Sequence, residues 1–208
     1  MKAHVRLWPV AIVTTAVLSM AVATASAGKL RFTGSTFRWV TNSSGMTFGA
    51  LAVSCPVTLE GSFHSSSFIK REQLLLGYVT RGILPGASCT GGSATVLTET
   101  LPWHVTYERF TGTLPAITEI ALQVHGAAFN ISAMQITCLY QSTEAKPWSV
   151  KLERETGIGT IMRVLYQALP KIPRKSGSIL CAESSEISGT ASMTLLESLT
   201  SVILSLIA

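Results

Sequence analysis

Aspartate is missing from all 208 residues, so each of the 11 acidic side chains is a glutamate. That removes the most usual carboxylate of hydroxyl–imidazole triads, calcium loops and aspartyl nucleophiles. Glutamate can take the place of aspartate, so the absence lowers the weight of such chemistry without closing it. Charge of either sign is scarce, at 13% of residues. No C-x-x-C pair and no close Cys/His set is present, which argues against a tetrahedral zinc centre. No G-x-S-x-G elbow, H-E-x-x-H, P-loop or G-x-G-x-x-G stands in the chain after residue 27. We therefore expect no cofactor, no metal site and no catalytic residue. Beyond the first 27 residues no run of 18 apolar residues occurs, so no later membrane-spanning helix is expected.

The opening segment has a different character. Lys2 and Arg6 precede an uncharged, mostly apolar run from Leu7, which ends in Ala25-Ser26-Ala27. This is the pattern of a secretory signal peptide cleaved after Ala27, with an uncleaved membrane anchor as the rival reading. Residues 28–208 would then form one exported domain without a membrane span. Removing Lys2 and Arg6 leaves 14 basic against 11 acidic residues, a net charge of +3. The basic residues are scattered and no basic helix carries them, so nucleic acid is not an expected partner. Their densest group, Lys171 to Lys175, reads as a solvated loop.

Cys55, Cys89, Cys138 and Cys181 all follow the signal segment. An even number in an oxidising compartment reads as two disulfides, with three connectivities open to four cysteines. Pairing neighbours in sequence gives Cys55–Cys89 and Cys138–Cys181, with loops of about 34 and 43 residues. Each bond would then staple one half of the domain. The chain-entropy treatment assigns roughly 3–4 kcal/mol to loops of that size.

Short segments that alternate apolar and polar residues recur along the chain. In PVTLEGSFH, Val57, Leu59 and Phe63 share one face while Thr58, Glu60, Ser62 and His64 share the other. Similar runs occur at Arg31–Val40, Leu75–Arg81, Ala94–Thr98, Trp103–Phe110, Ile117–His125, Ile131–Tyr140, Trp148–Arg154 and Gly189–Leu196. Turn signals separate them at 42–45, 85–86, 91–92, 156–159 and 176–177. Many short strands at this spacing predict an all-β, single antiparallel sandwich or barrel-like domain. GTIMRVLYQALP fits helix and strand periodicity almost equally, and its β-branched residues between Gly and Pro favour a strand. LTSVILSLIA is apolar on both faces, which predicts a central covered strand or one that pairs with a second molecule.

TLPWHVTYERF reads as a strand in which Trp103, Val105 and Tyr107 face the core, with Pro102 at its start and Gly112 and Pro115 at its end. The other reading of its rings is an exposed platform for a sugar or lipid. His64, His104 and His125 are the histidines outside the signal segment. If their strands pair, His104 and His125 would share a face, and an acid/base or metal site there would need Glu108 or Glu119 beside them. Glu153 and Glu155 share a strand face but lie beside a turn, where solvated charges are expected rather than a glycosidase pair.

The succession Cys55-Pro56-Val57-Thr58-Leu59, Gly77-Tyr78-Val79-Thr80, Cys89 and Thr98-Glu99-Thr100-Leu101-Pro102-Trp103 resembles a group of uncharacterised exported actinobacterial β-proteins. This likeness spans most of residues 28–208. From about Met46 to Val124, a Cys, the Leu59-x-Gly61 strand, a second Cys and Leu-Pro-Trp are also similar to small exported pseudomonad proteins named as activators of alkane oxidation. Neither resemblance brings a catalytic residue; both imply an exported, disulfide-linked β domain at a bacterial surface. The expected function is that of a non-enzymatic extracellular or cell-surface protein with a structural or adhesive role. Its expected partners are the cell surface or a second copy through strand pairing. A binding module for an apolar small molecule, lipid or hydrocarbon, is the alternative.

Overall fold

The computed structural model describes residues 28–85, 88–113, 116–154 and 161–207. The signal segment, the turn at 156–159, Pro115 and Glu155 lie outside these residues. The first strands are β1 (Lys29–Phe32), β2 (Thr36–Phe48), β3 (Val53–Cys55), β4 (Thr58–Phe63), β5 (Ser67–Phe68) and β6 (Leu75–Ile83). Next come β7 (Ser93–Val96), β8 (Trp103–Thr113), β9 (Ala116–His125), β10 (Ala128–Ala133) and β11 (Ile136–Gln141). The remainder forms β12 (Trp148–Arg154), β13 (Ile161–Tyr166), β14 (Ile172–Gly177), β15 (Ser184–Ser185), β16 (Ile187–Thr194) and β17 (Leu204–Ile207).

Eight of these strands form a ring. β2, β4, β6, β8, β9, β12, β13 and β16 pair antiparallel in that order, and β16 returns to pair with β2. The result is a closed up-and-down barrel, which decides between the two architectures expected from sequence. Eight strands enclose an interior just wide enough for side chains to fill. Trp39, Trp103, Trp148, Phe37, Leu59 and Val150 are among the side chains that fill it, each fully buried. The ring closes tightly between β4 and β6. A Cβ on Gly61 would lie 2.1 Å from the Tyr78 carbonyl oxygen and 2.5 Å from the Phe37 ring, so only glycine fits there.

Four of the connections between ring strands lie at one end of the barrel, here called the upper end. β3, β7, the β10–β11 hairpin and the β14–β15 pair interrupt four successive connections there. Five of these, in the order β15-β14-β11-β10-β7, make a sheet across that end, while β3 pairs with β2. Its inner face carries Phe129, Ile131, Cys138, Tyr140 and Ile172, all buried. At the lower end a three-stranded sheet of order β17-β1-β5 covers the opening with Leu30, Phe32, Phe68 and Leu204.

Both disulfides form with the connectivity expected: Cys55–Cys89 over 34 residues and Cys138–Cys181 over 43. Their placement corrects the expected division into halves, because both bonds lie at the upper end. The cause is topological. Each cysteine sits in an insertion between barrel strands, so the bonds tie the upper sheet rather than separate halves of a barrel.

Several other expectations need correction. The turn signal Asn42-Ser43-Ser44-Gly45 falls inside β2, where pairing with β16 runs from Ala191↔Thr41 to Gly189↔Met46. Gly45 takes a left-handed φ of 69° there, so the residues make a wide bulge rather than a chain reversal. The run Ile131–Tyr140 is a hairpin, turned by Met134 and Gln135 at φ 47° and 65°, which is why no glycine or asparagine marked it. Lys171 to Lys175 belong largely to β14, where Arg174 donates to the Cys181 carbonyl at 2.5 Å, and the expected turn at 176–177 lies in the same strand. β13 is a strand as expected, and a register shift beside Glu153 turns Ile161, Val164 and Tyr166 inward together. β17 pairs with β1, at the edge of the lower sheet instead of the centre of the core. The apolar residues at and just before its start divide, Val202 and Leu204 being buried and Ile203 exposed.

A polar cleft on the outer wall

The strand that carries Leu-Pro-Trp has two faces with different chemistry. Trp103, Val105 and Tyr107 point into the barrel and are buried, which rules them out as an exposed ring platform. The Trp103 indole N–H donates to Thr100 Oγ1 at 2.8 Å, so Thr100 holds the ring's polar atom at the upper end. Burial pushes the Tyr107 phenol above its ordinary pKa. The opposite face of β8 carries His104 and Thr106 on the outer wall.

Register brings the expected histidines together. His104 stands directly across from His125, and Thr106 across from Gln123. His104 is exposed, whereas His125 is nearly covered, its side chain 8% accessible. His125 Nε2 lies 2.9 Å from Thr106 Oγ1. Its Nδ1 lies 3.3 Å from a carboxylate oxygen of Glu144, but makes no hydrogen bond among the described residues. Gln73, Thr106, Gln123, His125 and Glu144 together line a cleft of about 390 Å³. Gln73 is fixed by its backbone, with φ of 60° and an N–H donating to the Tyr107 carbonyl at 2.8 Å.

The carboxylates expected beside the histidines are elsewhere. Glu108 pairs with its neighbour Arg109, and Glu119 with Lys151 at 2.9 Å. Glu153 pairs with Arg163 and stands across from Glu119, so it belongs to a row of ion pairs on another part of the wall. Glu144, in the connection between β11 and β12, is the carboxylate that reaches the histidine. Sequence reading missed it because no strand period relates a loop residue to His125. Gln73 was missed for the same reason.

Hydroxyl, imidazole and carboxylate here follow the order of a proton relay. The carboxylate end is loose, because the Glu144 side chain is 82% accessible and its contact with Nδ1 is not a hydrogen bond. A relay relies on that bond to fix tautomer and ring orientation. The arrangement is better suited to meeting a polar ligand. His64 stacks edge-on against Tyr78 at 4.9 Å, and Tyr78 against His104 at 5.2 Å, which extends a row of rings from the cleft across the outer wall.

Among the described residues no group of three or more His, Cys or Glu is placed to hold a metal ion. None of their helices is long and apolar enough to cross a membrane. No protein family, curated protein or solved structure matches the chain.

Proposed function

We propose that this chain is an exported protein of the cell surface or extracellular space, a rigid scaffold that acts by contact through its outer wall rather than by catalysis. The observation that carries this reading is the closed barrel with a filled interior, covered at both ends and tied by two disulfides at one of them. Disulfides persist in oxidising compartments, and the opening segment has the form of a signal peptide. The likeness of the Cys-Pro-Val-Thr-Leu and Leu-Pro-Trp segments to exported bacterial β-proteins points the same way.

A filled interior also weighs against the alternative of an enclosed lipid or hydrocarbon. Contact between the Trp39, Trp148 and Tyr166 rings leaves side chains where such a ligand would sit. Fractionation of producing cells tests the proposal. The protein should be found at the surface or in the medium, beginning at Gly28, with two linked peptides and no free thiol on non-reducing mapping. A chain retained in the cytoplasm with reduced cysteines would overturn it.

A further inference from the structure

We propose that the cleft beside His125 is a binding site for a neutral saccharide. Its volume of about 390 Å³ falls within the roughly 300–1,000 Å³ of small-molecule sites. Most such sites are lined by apolar groups. This one presents two primary amides, a hydroxyl, an imidazole and a carboxylate. Each amide offers two donors and an acceptor, and a neutral imidazole offers one of each. A ligand that suits such a set must donate and accept from neighbouring atoms, as vicinal hydroxyls do.

Three further observations narrow the ligand. His125 is nearly covered, and its buried Nδ1, 3.3 Å from the Glu144 carboxylate, makes no hydrogen bond among the described residues, so the ring keeps hydrogen-bonding capacity that a shift of the exposed Glu144 side chain would turn to the cleft. Glu144 disfavours an anionic ligand, while its exposed carboxylate can accept from a hydroxyl. Beside the cleft, the rings of His104, Tyr78 and His64 form a continuous row. Their edges and faces give the apolar side of a sugar ring something to pack against. The neighbouring cleft lined by Glu119, Glu153, Arg154 and Arg163 has no such row and spends its carboxylates on ion pairs.

The assignment rests on the surface reading, since an exported protein meets saccharide at a cell envelope. Its test is independent of location. Purified, oxidised protein is titrated with glucose, galactose, mannose and maltotriose while the side-chain amides of Gln73 and Gln123 and the ring of His125 are followed by NMR. Saturable shifts at these groups with at least one sugar are expected. Gln123→Leu and the near-isosteric Thr106→Val should each weaken that binding about tenfold, the effect of losing one hydrogen bond to the ligand. Glu144→Gln, on an exposed loop, serves as a further variant that leaves the core untouched, and it too should weaken binding. Arg163→Ala, in the other cleft, should leave it unchanged. No saturable shift with any of the four sugars, or equal binding by the wild type and the Gln123 and Thr106 variants, would overturn the assignment. Either result leaves the fractionation experiment to decide the surface reading separately.

Discussion

At the upper end of the barrel, Cys55–Cys89 and Cys138–Cys181 tie β3 and β11 to the loops before β7 and after β14. At the lower end no covalent cross-link joins β1, β5 and β17 among the described residues. Ring packing holds that end instead: Phe32 stacks on Phe63 at 4.4 Å and meets Phe68 at 5.4 Å, and Phe63 meets Phe37 at 4.8 Å. The contrast follows from how each sheet is assembled. The upper sheet collects insertions from separate connections, and each must lose the freedom of a long loop to take its place. The lower sheet takes one such insertion, β5, and joins it to the segments before β2 and after β16 through apolar contact.

Between the ends, ring contacts continue from Phe37 to Trp39, Tyr166, Trp148, Phe129 and Trp103. Substitution within this column should have the largest effect. Phe32→Ala at the lower end and Phe129→Ala at the upper should each lower stability by about 3–5 kcal/mol in chemical denaturation. Their separation predicts additive losses in the double variant. Replacing both cysteines of one pair by alanine should cost about 2–5 kcal/mol. Hydrogen exchange should then speed up in β7, β10, β11 and β14 while β1, β5 and β17 keep their protection. Equal loss of protection at both ends would break the contrast.

Smaller effects sharpen it. Ser142 accepts from the Ala127 N–H at 2.9 Å and donates to the Val124 carbonyl at 3.0 Å, joining the top of β9 to the upper sheet. Ser142→Ala strands both buried groups and should cost about 1–3 kcal/mol, read as a lower denaturation midpoint. Alkaline pH acts on the middle of the column. Burial raises the pKa of Tyr166, so the folded chain keeps a proton that the unfolded chain releases near pH 10. Stability is therefore full below about pH 10 and falls above it, by up to about 1.4 kcal/mol per pH unit for this phenol. Tyr166→Phe should remove that share of the alkaline loss; because the hydroxyl has no partner among the described residues, it should not reduce stability at neutral pH. Arg81→Ala should have the smallest effect, at most about 1 kcal/mol, because Arg81 is exposed and Glu60 keeps its contact with Arg38 at 3.3 Å.

The alternation in PVTLEGSFH and WHVTYERF made the barrel walls legible, since a half-buried strand writes its two faces into successive residues. Closure was not legible, because the pairing of β16 with β2 joins distant segments that carry no mutual signal. The hairpin at Met134 and Gln135 was hidden because its turn uses residues that seldom adopt positive φ. Of the residues lining the cleft, His125 was the candidate that could be read: it was expected to share a face with His104, and their register places the two opposite each other. Glu144 and Gln73 come from loops, whose positions depend on the assembled sheet and not on any local period.

Lys29 and Ile207 are register partners, so the first and last described strands bring their ends together at one point on the lower end. A tether or fusion attached at either side of this point would present the five-stranded sheet away from the attachment. A short linker between these residues would need to span only neighbouring strands, about 5 Å apart. The sequence could then be cut open elsewhere without changing the order of the ring. The exposed turn at Met134, 91% accessible and outside the barrel, is a place where new ends would leave the ring strands intact.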